Sequence, residues 1–292
     1  MRKNQNGVAY EDELFAKQDE SNPLTQTDFK FHVYNGDKIC VTDTIGYVTP
    51  RNRSPNELVL EASDGFIPLW APKSTLRWRF NEAALQHFKH PEDIKREVKL
   101  LLGEAIVMWG DAAPVKFTER YDAWDFEVVV SPHNNCSMYG CTLAKAFFPD
   151  SGRHELTLYP SMFKQVRKEQ VDTLIHELGH IFGLRHFFAN VSEKAFPSTK
   201  YGKHSSFSIM NYGAKSELTE NDRSDLRRLY QESWSGERSE VNGTPIVLVS
   251  PFHELVTNKT TPDMRARNVQ PVAPTYCCHM NHLNRKIPKN QY

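Results

Sequence analysis

A chain of 292 residues, 39% hydrophobic and 25% charged, has room for one large core or two modest ones. Its 36 Lys and Arg balance 36 Asp and Glu, so no whole-molecule field draws it to nucleic acid or an anionic membrane. Five cysteines, an odd and sparse set, argue against a dense disulfide framework; one loop closed by Cys136 and Cys141 stays open.

The opening stretch, MRKNQNGVAYEDELFAKQDE, lacks the apolar run of a signal peptide, which reads as an intracellular start, and no later window resembles a membrane span. Residues 1–73 are polar, with short alternations such as FKFHVYN and ELVLEA between turn residues. They are expected to be an N-terminal extension, partly disordered, with a few strands. From Leu76 the texture changes. LRWRFN alternates like a strand, and EDIKREVKLLLGEAIVMWGD sets Ile94, Val98, Leu101, Ala105 and Met108 at helical spacing. VKFTER and DFEVVVS follow as strands, then a loop, then CTLAKAFFP and HELTLYP as two more.

KQVRKEQVDTLIHELGHIFG carries Val171, Leu174, Ile175, Leu178, Ile181 and Phe182 three and four apart, which predicts a helix ending at Gly183. LTENDRSDLRRLYQ predicts a last helix, with Thr219 as cap and Asp222 completing a variant capping box. Residues 236–292 are expected to be a C-terminal tail or small extension. Helices among several strands predict an α+β or α/β layer pattern around residues 74–235.

His176 and His180 are four residues apart on the predicted helix, so both imidazoles can reach one ion. Glu177 is displaced by about 100° around the axis, beside such an ion without being forced to ligate it. Gly183 can take positive φ and swing His186 back as a third ligand. Three protein ligands leave an open coordination position, where zinc lowers the pKa of its water to roughly 7 and Glu177 can take the proton. The bland reading, histidines satisfied in a core, must here explain three at once. His154 and His253 also begin His-Glu-Leu but lack a second histidine four residues on, and both read as structural.

The arrangement HExxHxxGxxH, formed by His176, Glu177, His180, Gly183 and His186, resembles the extended zinc motif of the metzincin metallopeptidases. SIMNYG at 208–213 resembles their Met-turn, with Met210 beneath the metal. LRWRFN, the helix ending in VMWGD, PVKFTE, TLAKAFFP and LTENDRSDLRRLY resemble, in order, elements of matrixin catalytic domains over residues 74–232. Astacins are the second choice: Tyr212 stands where their Met-turn tyrosine does, but Phe187 replaces the glutamate usual after the third histidine.

The resemblance implies a zincin-like fold, with a mixed, mainly parallel twisted sheet, an active-site helix, a Met-turn and a C-terminal helix. It implies an endopeptidase with zinc on His176, His180 and His186, Glu177 as general base, and Met210 and Tyr212 in support. The edge strand at 142–148, through Leu143, Ala144, Lys145 and Ala146, would bind an extended polypeptide by its backbone, and Leu174 would line a pocket. No PRCGxPD latency segment and no His-x-Asp ligand pair is found, so one zinc is expected and no second, structural metal. The adjacent Cys277 and Cys278, near His279 and His282, lack zinc-knuckle spacing and read as a solvated tail. The other reading of the site is a catalytically silent, zinc-containing peptide-binding module, which would not need Glu177. The family points to an extracellular setting, against the missing signal peptide, and the oligomeric state is not encoded.

Overall fold

In the segment Thr75–Phe80, buried Leu76, Trp78 and Phe80 alternate with half-buried Thr75, Arg77 and Arg79, the period of a strand with one face on a core. The computed structural model describes residues 32–34, 38–40, 58–62, 65–137, 140–186, 198–201, 208–210 and 216–257. Its strands are His32–Tyr34 (β1), Lys38–Cys40 (β2), Leu58–Glu61 (β3), Ile67–Trp70 (β4), Thr75–Phe80 (β5), Lys116–Glu119 (β6), Phe126–Val130 (β7) and Asn135–Ser137 (β8). Gly140–Thr142 (β9), Ala144–Lys145 (β10), His154–Leu158 (β11), Leu184–Arg185 (β12), Ser198–Tyr201 (β13), Glu240–Val241 (β14) and Thr244–Val249 (β15) complete the set. The helices are Glu82–Leu85 (α1), Pro91–Trp109 (α2), Pro160–Phe163 (α3), Arg167–Ile181 (α4), Glu220–Ser235 (α5) and Phe252–Thr257 (α6).

The fold is mixed α+β. Its main sheet has five strands in the order β10-β11-β7-β5-β6; β10 is antiparallel and the other pairings are parallel. Helix α2 packs against α4 and buries Ile94, Val98, Leu101, Leu102, Ala105 and Trp109. Met108, expected on that face, is 45% exposed. The stripe closes on Trp109 because the 3.6-residue period from Ala105 reaches 109, and its indole Nε1–H donates to Ile175 O at 3.0 Å.

Several strands pair with partners distant in sequence. β3 pairs with β12 and β13, β4 pairs with β15, and β2 pairs with β9. His253 of α6 is buried; its backbone N–H and Nδ1–H each donate to the buried carboxylate of Asp125 at 2.8 Å. Residues 240–257 are thereby held by hydrogen bonds to β4 through β15 and to Asp125, just before β7, through His253.

The strand expected over 142–148 is shorter, with β9 ending at Thr142 and β10 covering Ala144–Lys145. A disulfide between Cys136 and Cys141 closes the β8–β9 hairpin. The last helix begins at the expected capping box: Thr219 Oγ1 accepts from Asp222 N–H, and Asp222 Oδ2 accepts from Thr219 N–H at 2.8 Å. Among the described residues no helix is long and apolar enough to cross a membrane.

Candidate metal centre

Helix α4 turns Leu174, Leu178 and Ile181 into the core at spacings of four and three, and all are essentially fully buried. That orientation sets His176 and His180 one turn apart, His176 against Ile209 and His180 against Leu184. His176 Nδ1 lies 2.8 Å from Ile209 O, and His180 Nδ1 lies 2.8 Å from Leu184 O. A carbonyl can only accept, so each Nδ1 carries the proton and each Nε2 is left with its lone pair.

The helix stops at Phe182, and Gly183 adopts φ +91°, a left-handed conformation in which a side chain would be strained. Space enforces the same choice, because a Cβ there would lie 3.3 Å from the backbone oxygen of Pro68. The chain then runs into β12, paired with β3, and delivers His186 to the other two histidines. His186 Nε2 is 3.0 Å from His176 Nε2, which is 3.1 Å from His180 Nε2. All three rings are buried, and their ligand atoms lie within 4.8 Å of one another.

The lone pairs of His176 and His180 Nε2, 3.1 Å apart in a buried site, repel unless a cation lies between them. The spacing is close to the edge of about 3.3 Å expected for a tetrahedral site with Zn–N of about 2.0–2.1 Å. Imidazoles oriented by backbone acceptors are the usual way a protein presents nitrogen to zinc. The donor set therefore fits one zinc ion.

Met210 is 1% exposed and lies flush against the helix: a Cβ on Gly179 would run into its Sδ and come close to Trp109. Its backbone N–H donates to Ser208 Oγ at 3.2 Å, and Ser208 Oγ–H donates to Asp222 Oδ1 at 2.6 Å. Burial pushes the Asp222 carboxyl above its ordinary range, opposed by hydrogen bonds from Ser208 and Thr219. The α5 capping box thus anchors the segment whose Ile209 carbonyl sets the His176 tautomer.

Glu177 is 2% exposed. The nearby phenol of Tyr159 is pushed upward, chiefly by burial, with the Glu177 charge adding to the effect and the Asn135 side chain opposing it. Sequence reading passes over Tyr159, which follows β11 with no periodicity to mark it. Phe148, just beyond β10, sets its ring edge-on to His180 with centroids 5.5 Å apart.

The remaining expected residues are spread unevenly. Leu143, Ala144 and Ala146 are buried and Lys145 is half-buried, all in or beside the edge strand β10. Leu174 is fully buried in the core. Tyr212, Phe187 and the Cys277–His282 cluster lie outside the described residues. His154 stacks on Phe147 at 4.5 Å, and His253 bonds Asp125; neither approaches the triad's ligand set.

No protein-family model matches the chain, and no curated protein sequence does. Among solved structures, myroilysin overlaps 59% of this chain and 98% of its own, at 14% identity and a TM-score of 0.40. A second structure of myroilysin overlaps 67% and 91%, at 14% identity and a TM-score of 0.37. High choriolytic enzyme 1, a hatching enzyme zinc-protease from Oryzias latipes, overlaps 63% and 98%, at 13% identity and 0.35.

Proposed function

We propose that this chain is a zinc-dependent endopeptidase of the metzincin type, with one zinc held by His176, His180 and His186. The observation that carries the reading is the buried meeting of three imidazoles, two with Nδ1–H committed to a backbone carbonyl, with Glu177, next in sequence to His176, also buried. A zinc ion bound there supplies Lewis acidity toward a water molecule and the scissile carbonyl.

Glu177 takes the proton from the attacking water and delivers it to the leaving amine, a role suited to a carboxylate one residue along the helix from a ligand. Its burial keeps bulk water from competing for that proton. Met210 floors the site against Gly179, and Ile209 and Leu184 hold two rings in the productive tautomer. The substrate is a polypeptide in extended form, aligned along β10 through the backbone at Leu143, Ala144, Lys145 and Ala146, with Tyr212 as a donor to the developing oxyanion.

Supporting a catalytic rather than silent site, Glu177 is present and buried where a purely structural metal would need no base, and among the described residues three protein ligands converge. The test is hydrolysis of an unfolded protein by wild type and by Glu177→Gln. Cleavage by wild type alone, both proteins carrying zinc, is expected. Equal cleavage by the variant defeats the mechanism, and a zinc-loaded wild type that cleaves nothing favours the binding module.

A further inference from the structure

The last carbonyls of a helix have no partner within it, and buried ones must find partners elsewhere. At the end of α4, Leu178 O and Gly179 O accept from Phe182 N–H, and His180 O accepts from Gly183 N–H. That leaves Ile181 O and Phe182 O, the two carbonyls immediately before the glycine that redirects the chain to His186. Both accept from side chains far away in sequence. Trp70 Nε1–H donates to Ile181 O at 2.7 Å, and Tyr230 O–H donates to Phe182 O at 3.1 Å.

The donors are themselves linked. Trp70 backbone N–H donates to the Tyr230 hydroxyl at 3.3 Å, and Trp234 Nε1–H donates to Trp70 O at 2.9 Å. The rings of Tyr230 and Trp234 meet edge-on, 5.2 Å apart. Trp70 and Tyr230 are at most 2% exposed, so no water replaces these bonds cheaply. Burial also drives the Tyr230 phenol far above its ordinary range, so it remains a protonated donor at any working pH.

We infer that Trp70, Tyr230 and Trp234 form a clamp that positions His186 for the metal by fixing the last two carbonyls before Gly183. The clamp brings together β4, α5 and the end of α4, and β4 also supplies the Pro68 oxygen against which Gly183 is seated. Beyond it, β12 pairs with β3, and Leu184 O holds the ring of His180. A loosened turn therefore misplaces His186 and untethers His180 together. These three are positioning residues.

The inference rests on the zinc reading above, and its test separates the two. Zinc dissociation constants would be measured by chelator competition, far below the melting temperature, for wild type, Tyr230→Phe and Trp234→Phe. Ile94→Val on α2 serves as a core control of conserved shape. Tyr230→Phe keeps the ring and loses only the hydroxyl; its dissociation constant should rise about 10- to 100-fold, the usual effect of removing a group that orients a metal ligand. Trp234→Phe, one bond further out, should give a smaller rise in the same direction. Ile94→Val should stay within about twofold of wild type, as expected for a site it does not touch. If Tyr230→Phe binds zinc no more weakly than Ile94→Val, the clamp has no positioning role. A wild type that binds no zinc overturns the metal reading itself.

Discussion

The tripeptide His-Glu-Leu occurs at 154–156, 176–178 and 253–255, and its histidines meet three different fates. His176 and His253 are both buried, and each has its Nδ1 held at 2.8 Å by an oxygen. For His253 that oxygen belongs to a carboxylate that also receives its backbone N–H, so the pair ties α6 to the sheet. For His176 it is a carbonyl, and Nε2 faces two other imidazoles. His154, on a strand, has no such tether and stacks on Phe147 instead. Burial and a held ring are thus shared by a structural histidine and a candidate ligand. Convergence with His180, one turn on, and with His186, past the Gly183 turn, separates them.

The largest effect should come from the glutamates of the three tripeptides. Glu177→Gln is expected to lower peptide hydrolysis by about 10²- to 10⁴-fold, the range for a lost general base, with zinc retained. Glu155→Gln, on an exposed strand position, and Glu254→Gln, on α6, should leave the rate within about twofold, as for surface changes away from the chemistry. Steady-state kinetics on one peptide would compare all three.

The histidines divide differently. His176→Ala should abolish zinc binding, whereas His253→Ala should keep the metal and lose about 1–3 kcal/mol of stability, the cost of leaving a buried polar partner unsatisfied. Denaturant melts paired with elemental analysis would show whether the two losses are separate.

His154 provides a pH-dependent contrast. Burial holds its imidazole below the ordinary value of 6.5, with the Asp150 charge opposing. The folded chain then binds fewer protons than the unfolded one. Its contribution to stability is present above about pH 6.5 and is lost as pH falls through the depressed folded value. Melting temperatures between pH 7.5 and 5 should fall less steeply for His154→Phe than for wild type.

The smallest effect is expected at the outer end of α4. Arg167 pairs there with Glu97, and with Glu104 at 2.6 Å, in partly exposed positions. Arg167→Ala should cost no more than about 1 kcal/mol and leave zinc affinity unchanged.

Much of this was legible because it is local. The 3.6-residue period of α4, the four-residue step from His176 to His180 and the Thr219–Asp222 capping box each lie within a few turns of chain. The positive φ of Gly183 follows from the same local logic. What was not legible depends on partners distant in sequence or on backbone atoms. Ile209 O and Leu184 O fix the ring tautomers, but a carbonyl has no residue type to read. Trp70 and Tyr230 reach the end of α4 across 111 and 48 residues, which no periodicity reports. Trp109 replaced Met108 on the buried face because a stripe four residues wide can continue at either position until the opposing helix is known. The pairing of β15 with β4 likewise joins strands far apart in sequence.

The most direct measurement is the zinc content of purified wild type beside His176→Ala and His253→Ala, by elemental analysis after exhaustive dialysis. A three-imidazole centre predicts about one zinc per chain in wild type and in His253→Ala, and none in His176→Ala. No zinc in wild type, or equal zinc in all three proteins, would contradict it.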